Sequence, residues 1–526
     1  MRRSVLTSVI SAAALLGGAI STLQAAPSAS ADRCVQLKGK QLGGALIEDA
    51  ERITKAEPLG GDFSGPVLAP VDVCRVRAAV SPVPNSNIKI EVWLPDAWNG
   101  KMVATGGGGM NGGLRNSDKE HVAAVARGYA GVINDVGHDA ASAPGKWGYQ
   151  QPERIVDFGH RGNHVAAVLG KAVIAEYYGK PAKHSYFQGC SGGGREALML
   201  AQRYPSDYDG IIAGAPAADF TGLMTSGFWN SQRVYRMPES ASFAPKAKLL
   251  RAAVEKECDE LDGVKDGVIN DPLTCKFDPA ELQCKSSEDQ AGCLTSAEVN
   301  VAREVYRGPH AANGSKILSG AALGSEAGWE PILTAKGPVA NLLPIPFFQW
   351  IVTQDPNFSP QSFDLDRDYA LAKSRLGASI DATNPDLSGF TQHGGKLLMY
   401  HGWEDGLIPA GATLDYYAQV RGRMGDTVDR NLRLFMMPGV SHCAGGPGPT
   451  AFDKLDVLDR WVESGVAPER IVASKYENET SMNTGSGKLL RTRPVCAWPK
   501  LAQYKGTGST DDAANFTCEA PRPATR

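Results

Sequence analysis

The 526-residue chain has no basic stripe and no long run of like charges; 54 Lys and Arg stand against 57 Asp and Glu, a balance of −3. Nucleic-acid binding draws on a concentrated positive surface, so that class is excluded, and so is a charged interaction tail. Beyond the first 31 residues no apolar stretch reaches the ~20 residues that a membrane span needs. No internal repeat is present. No G-K-[ST] follows the glycine run 106–109, and Met110-Asn111-Gly112 does not fit a dinucleotide fingerprint, which argues against a phosphate-binding loop. The length leaves room for a large core and more than one domain.

What the chain does have begins at its N-terminus. Arg2 and Arg3 precede an apolar run from Leu6 to Ile20, and Ala29-Ser30-Ala31 offers a small-residue cleavage site. Residues 1–31 read as a secretory signal peptide, and the paired arginines raise a twin-arginine route. A membrane anchor is the competing reading, against which the run is short. Ten cysteines in an exported chain suggest disulfides. Pairing near neighbours gives Cys34–Cys74, Cys258–Cys275, Cys284–Cys293 and Cys496–Cys518, and leaves Cys190 and Cys443; composition alone admits many other pairings.

Those last two have informative neighbours. Cys190 precedes Ser191 within Gly189-Cys190-Ser191-Gly192-Gly193, a G-x-S-x-G pattern, and Cys443 follows His442. A disulfide holds its Cα atoms about 4.4–6.8 Å apart. If these two cysteines are bridged, a serine and a histidine distant in sequence come within reach of proton transfer.

The pattern of short apolar runs supports an α/β fold. Ile88 to Leu94, Met102 to Ala104, Ala130 to Ile133, Ser185 to Gln188 and Gly210 to Ala213 read as strands; Phe158 to Tyr178 and Arg195 to Arg203 read as helices. Their alternation argues for a parallel-sheet α/β domain. From about 218 to 395 the texture is loop-rich, with Pro, Asp and Cys punctuation and an aromatic-heavy segment, Asn341 to Val352. Strand texture returns at Lys396 to Tyr400 and Leu432 to Met437. The expected organisation is one α/β domain, 32–217 and 396–526, interrupted by an inserted domain at 218–395. The end, from Gly506, is expected to meander over the surface.

A strand before the G-x-S-x-G and a helix after it supply the context of a nucleophile elbow. Asp405, in His401-Gly402-Trp403-Glu404-Asp405, and His442 then follow in the order Ser, Asp, His. In this reading Ser191 is the nucleophile, His442 the base and Asp405 the group that fixes the imidazole. Glu404 competes with Asp405, and His401 with His442. The oxyanion of an acyl-transfer intermediate needs backbone donors. The Gly192 amide is one candidate; Gly108, in the glycine run 106–109, is the other. The alternative is an ordinary glycine-rich turn between a strand and a helix.

The stretch Cys258 to Val268 is the second informative one. Asp259, Asp262 and Asp266 converge if the chain curls, and the backbone oxygens of Val264 and Val268 add to them. All-oxygen donors suit Ca²⁺ rather than a transition metal, although the spacing is not that of an EF-hand. A solvated acidic turn is the bland alternative, and a metal-dependent hydrolase the catalytic one.

With these motifs together, the chain resembles the tannase and feruloyl esterase family, which includes the bacterial hydrolase of mono(2-hydroxyethyl) terephthalate. The likeness rests on Cys190-Ser191, His442-Cys443, the motif around Asp405, the acidic loop and the glycine run after Trp98-Asn99-Gly100, and covers nearly the whole mature chain. It implies an α/β-hydrolase core with a large inserted lid, the Cys190–Cys443 bridge, and a structural Ca²⁺ in the lid held by Asp259, Asp262, Val264, Asp266 and Val268. It further implies a secreted serine esterase acting on small aromatic esters, feruloyl, hydroxycinnamoyl or galloyl, some attached to plant polymer, with no nucleic-acid or membrane partner. A terephthalate-monoester or tannase specificity, or a catalytically silent binding protein of the same fold, are the alternatives. Gly192 is a departure, since the family often carries Thr or another side chain there.

Overall fold

The computed structural model describes residues 29–521, except 63–64, 111, 115–118, 140–143, 237–239, 286–290, 331–342 and 480–484. The expected signal peptide lies outside the described residues but for its last three, which open a short helix, Ala29–Val35.

A ten-stranded sheet organises the chain. Its strands are β1 (Gln41–Leu42), β2 (Ala45–Ile53), β3 (Val73–Val80), β4 (Ile88–Pro95), β5 (Lys101–Thr105), β6 (Ala130–Asn134), β7 (His184–Cys190), β8 (Gly210–Gly214), β9 (Lys396–Gly402) and β10 (Leu432–Met437), in the spatial order β1-β2-β3-β4-β6-β5-β7-β8-β9-β10. The strands from β1 to β4 pair antiparallel, as do β4 and β6. From β6 to β10 all pairing is parallel.

The parallel strands are buried on both faces, and the two-residue period of a strand sorts their side chains. Met102, Phe187, Ile211 and Leu397 join one apolar cluster with the helices Gly162–Tyr178, Gly192–Arg203 and Ala410–Met424. Their chain neighbours Val103, Tyr186, Ile212 and Leu398 point the other way, onto the helices Lys119–Ala126 and Lys454–Ser464. Each fully buried large apolar side chain contributes about 1.5–3 kcal/mol. The result is an α/β-hydrolase core with helices on both faces of the sheet.

The antiparallel strands β2 and β3 have no counterpart in the sequence reading. They alternate apolar with charged residues and carry a ladder of cross-strand ion pairs, Arg75 with Glu51 and Arg77 with Asp49.

β8 and β9 are hydrogen-bonded neighbours, yet the whole stretch 215–395 lies between them. That stretch is more helical than its composition suggests. It holds the helices Phe220–Arg236, Ser240–Cys258, Ser296–Arg307 and Leu365–Ile380. Pro245 within the second of these breaks the sequence pattern without ending the helix. Thr295 and Glu298 form a reciprocal capping box at the start of the third. The aromatic segment packs into a core shared with the preceding part of the chain: Phe347 and Phe348 are fully buried, against Phe220 and Phe228, in one cluster with Trp147 and Phe158.

The C-terminal stretch is more ordered than expected. Leu501–Tyr504 and Phe516–Glu519 pair antiparallel, and Cys496–Cys518 ties them to the preceding hairpin strand, Gly485–Cys496. All five cysteine pairs, Cys34–Cys74, Cys190–Cys443, Cys258–Cys275, Cys284–Cys293 and Cys496–Cys518, are bonded.

Candidate active site

β7 ends at Cys190 and the next helix starts at Gly192, so Ser191 takes the whole turn. It does so at φ 64° and ψ −121°, a left-handed conformation rare for a residue with a Cβ. The turn is tight because glycines permit contact: a Cβ on Gly189 would stand 2.6 Å from the Gly193 backbone, and one on Gly194 2.3 Å from the Gly214 carbonyl oxygen. The Ser191 N–H donates to Gly214 O at 3.0 Å, which ties the elbow to β8.

Asp405 and His442 come from the loops after β9 and β10. Asp405 is fully buried, and its Oδ1 accepts the N–H groups of Leu407 and Ile408, each at 2.9 Å. His442 Nδ1 lies 2.7 Å from Asp405 Oδ2, and its Nε2 lies 2.9 Å from Ser191 Oγ. Carboxylate oxygens only accept, so Nδ1 carries the ring proton and Nε2 is left to accept from the serine hydroxyl. The Cys190–Cys443 bridge spans 6.1 Å between Cα atoms, one residue away from each partner. The separation of 251 in sequence from Ser191 to His442 is closed at the site itself.

His401 plays a different part from the one considered for it. It is fully buried and does not touch Ser191. Its Nε2 faces Ile408 O at 3.0 Å and Asp405 Oδ2 at 3.2 Å, both acceptors, and its Nδ1 accepts from the Thr413 hydroxyl at 2.7 Å. His401 therefore donates to the same carboxylate oxygen as His442. Burial alone would raise the Asp405 carboxyl; His442 and His401 more than offset it and hold it well below the ordinary carboxylate range. Glu404, the competing acid, turns away to Arg251 at 2.9 Å, and burial pushes it up to about 7.

The glycine run lies against the elbow. Gly107 N–H donates to the buried Glu196 Oε2 at 3.0 Å, which anchors the run to the helix after Ser191. A Cβ on Gly192 would stand 2.9 Å from the Gly109 nitrogen. Gly109 and Gly192 both line the cavity above Ser191; Gly108 is not among the lining residues.

That cavity is a cleft of about 920 Å³, its open mouth included, with Ser191, His442 and Asp405 among its lining residues. Its walls come largely from the stretch between β8 and β9, with Leu223, Met224, Val305, Leu343 and Pro344 among them. The aromatic segment thus supplies Leu343 and Pro344 to the cavity and its phenylalanines to the core.

The acidic loop is compact. Asp259 accepts the N–H groups of Asp266, Gly267 and Val268, and Asp262 that of Val264. Asp266 is paired with Arg491 and Arg493. Among the described residues, no three acidic, histidine or cysteine side chains gather around a common metal position. The donor chemistry nonetheless fits a hard cation: all the candidate atoms are oxygens. Burial pushes Asp262 up to about 6, with Asp266 and Asp259 adding to it. Arg491 and Arg493, remote in sequence, give no signal by which the sequence could have linked them to this loop.

The tannase and feruloyl esterase family model matches residues 74–519. This chain belongs to that family. An esterase of Xanthomonas campestris pv. campestris is 34% identical over 556 residues, 96% of this chain and 94% of the relative. A probable feruloyl esterase B-2 of Aspergillus terreus is 32% identical over 469 residues, 85% of this chain and 86% of the relative. The crystal structure of feruloyl esterase B from Aspergillus oryzae has a TM-score of 0.85 at 27% identity, covering 93% of this chain and all of that one. A tannin acyl hydrolase from Aspergillus niger shares the fold, with a TM-score of 0.74 at 21% identity over 93% of this chain and 94% of that one. Membership of the tannase and feruloyl esterase family makes this chain a carboxylic ester hydrolase.

Proposed function

We propose that this protein is a secreted serine esterase that cleaves esters of aromatic carboxylic acids through an acyl-enzyme. The observation that carries the reading is the continuous chain Ser191 Oγ, His442 Nε2, His442 Nδ1, Asp405 Oδ2, opening onto an apolar cleft. Ser191 attacks the ester carbonyl as His442 takes its proton. The resulting oxyanion is held by the Gly192 amide and, from the glycine run, by that of Gly109 rather than Gly108. His442 then returns the proton to the departing alcohol, and a water activated by the same imidazole releases the acid.

The lining supports a neutral acyl group. Among the described residues the cleft has no Lys or Arg, and Asp405 and His442 are its only ionisable groups. A terephthalate monoester would bring in a carboxylate with no cation to meet it. Two of the lining serines are engaged already: Ser231 donates to Gly227 O at 2.9 Å and Ser319 to Asp415 at 2.6 Å. Ser226 and Asn230 are the other polar side chains of the wall, fewer than the three ring hydroxyls of a galloyl group, which favours the hydroxycinnamoyl class.

The side chains of Asp259, Asp262 and Asp266, with the carbonyls of Val264 and Val268, would hold Ca²⁺. When bound the ion supplies charge neutralisation to the acidic turn; no step of ester cleavage runs through it. Five disulfides fit an oxidising destination outside the cytosol, and the N-terminal residues read as the export signal. The stretch 218–395 acts as the lid.

The test is a fluorophosphonate probe together with hydrolysis of a p-nitrophenyl ester. The full chain is expected to label at Ser191 and to turn over, and Ser191→Ala to do neither. Retained turnover in Ser191→Ala removes Ser191 from the mechanism, and absence of labelling in the intact protein favours a silent binding protein.

A further inference from the structure

β9 carries Leu397, Leu398 and Met399 into the core and then, one residue short of its end, places an imidazole there: His401 is fully buried. Burying a polar ring costs free energy unless its nitrogens are paired. Neither proton transfer nor oxyanion binding uses His401, and it does not line the cleft.

Its surroundings fix its tautomer. Nε2 faces two acceptors, Ile408 O at 3.0 Å and Asp405 Oδ2 at 3.2 Å, so it carries the proton. Nδ1 lies 2.7 Å from the hydroxyl of Thr413, a fully buried residue of the helix Ala410–Met424, and accepts from it.

The same contacts complete the Asp405 carboxylate. Oδ1 takes the N–H groups of Leu407 and Ile408, each at 2.9 Å. Oδ2 takes His442 at 2.7 Å and His401 at 3.2 Å. A carboxylate has about four lone-pair sites, so the group is saturated. Ile408 enters twice: its N–H holds Oδ1 while its carbonyl holds His401 Nε2. The loop after β9 is thereby stitched back to the strand through the imidazole. The two backbone donors sit on the oxygen that does not meet His442; His401 shares the oxygen that does.

We propose that His401, its tautomer set by Thr413, is a positioning residue for ester cleavage: it holds Asp405 Oδ2 in line with His442 Nδ1, so that the hydrogen-bonded series ending at Ser191 begins at Thr413. It acts through the carboxylate and exchanges no proton with substrate. This deepens the esterase reading and rests on it. The competing role is packing alone, and the two separate by which ring nitrogen a substitute reproduces. A glutamine amide reaches about as far along the side chain as Nε2, and an asparagine amide only as far as Nδ1.

The full chain is compared with its His401→Leu, His401→Gln and His401→Asn variants on a p-nitrophenyl ester, with kcat and KM measured separately below each melting transition. His401→Leu is expected to lose about 10²-fold in kcat with KM changed by less than about twofold. His401→Gln, which returns an N–H to Oδ2, is expected to recover about tenfold of that loss, and His401→Asn none of it. Thr413→Val, which leaves Nδ1 without its donor, is expected to lower kcat in the same direction, and Thr413→Ser to restore it. In an Asp405→Ala background, His401→Leu is expected to cost less than about twofold more, because residues that act through one group are not additive. An unchanged kcat in His401→Leu, equal recovery by glutamine and asparagine, or an undiminished loss in the Asp405→Ala background overturns the proposal. So does a fall in kcat that tracks melting temperature across the variants, because that marks a packing role. Should the leucine variant not fold, the glutamine and asparagine variants decide: glutamine above asparagine in kcat supports the proposal, and equality sinks it. Failure of the esterase reading shows elsewhere, as absent turnover and labelling in the unaltered protein.

Discussion

Replacing Cys190 and Cys443 together by serine separates what the bridge does for the fold from what it does for the site. The bond closes a loop of 253 residues. In the chain-entropy model a closure of that size stabilises the folded state by about 5.5 kcal/mol. The local structure survives without it: β7 stays paired on both sides, and the histidine loop keeps its Ser441 N–H to Gly445 O and Gly448 N–H to Gly439 O bonds, at 3.1 and 2.7 Å. What is lost is the clamp one residue from each end of the 2.9 Å contact between Ser191 and His442. Misplacing a reacting group by about 1 Å costs on the order of 10²-fold in rate. The double variant should therefore lose about 10²-fold in kcat with little change in KM, along with a large fall in melting temperature. The control is Cys496→Ser with Cys518→Ser, which opens a loop of 22 residues that flanks none of the three site residues. That closure amounts to about 3.4 kcal/mol in the same model, and its loss should lower the melting temperature while leaving kcat near wild type. Both variants are assayed below their melting transitions on one hydroxycinnamate ester. An equal loss of kcat in the two, or full kcat without the Cys190–Cys443 bond, refutes the reasoning.

Calcium removal should act on stability before activity: a chelated sample is expected to melt at a lower temperature, with turnover at 25 °C at first retained. Calcium at about 100 times its Kd is worth about 2.7 kcal/mol, and melting that is indifferent to the ion would remove the site from the acidic loop. Glu404 gives a pH prediction. Its folded value, about 7, lies above its ordinary 4.5, so the folded state holds the proton more tightly than the unfolded one. Its contribution is fully present below pH 4.5 and is lost as pH rises through 7. Glu404→Gln keeps an acceptor for Arg251 and removes the charge, so its stability relative to wild type should improve between pH 5 and pH 8 by about 1–3 kcal/mol. A difference that stays flat with pH in denaturant titrations counts against it.

The parts of the molecule that were legible in the sequence are those where one requirement dominates. β8 and most of β10 are buried on both faces and apolar, so they read as strands. Ser191, Asp405 and His442 each close a strand, and the two flanking cysteines mark which serine and which histidine belong together. β2 and β3 were hidden because half of their residues face charged partners across the sheet, Glu51 with Arg75 and Asp49 with Arg77. The helices between β8 and β9 were masked by punctuation that helices tolerate, such as Pro245, although the Thr295 and Glu298 capping pattern was there to be read. One feature depends on three-dimensional neighbours alone: which glycine of 106–109 reaches the cleft is decided by packing against Gly192.

The adjacency of β8 and β9 has a consequence for how this architecture diversifies. A chain of any length that leaves at Gly214 and returns at Lys396 re-enters the sheet beside the strand it left, with Lys396 opposite Gly210 in the parallel pair. The excursion behaves as a cassette, spliced in at one seam. Rewriting its sequence reshapes what the cleft admits, while the serine, the carboxylate and the imidazole keep their places in the turns that follow β7, β9 and β10.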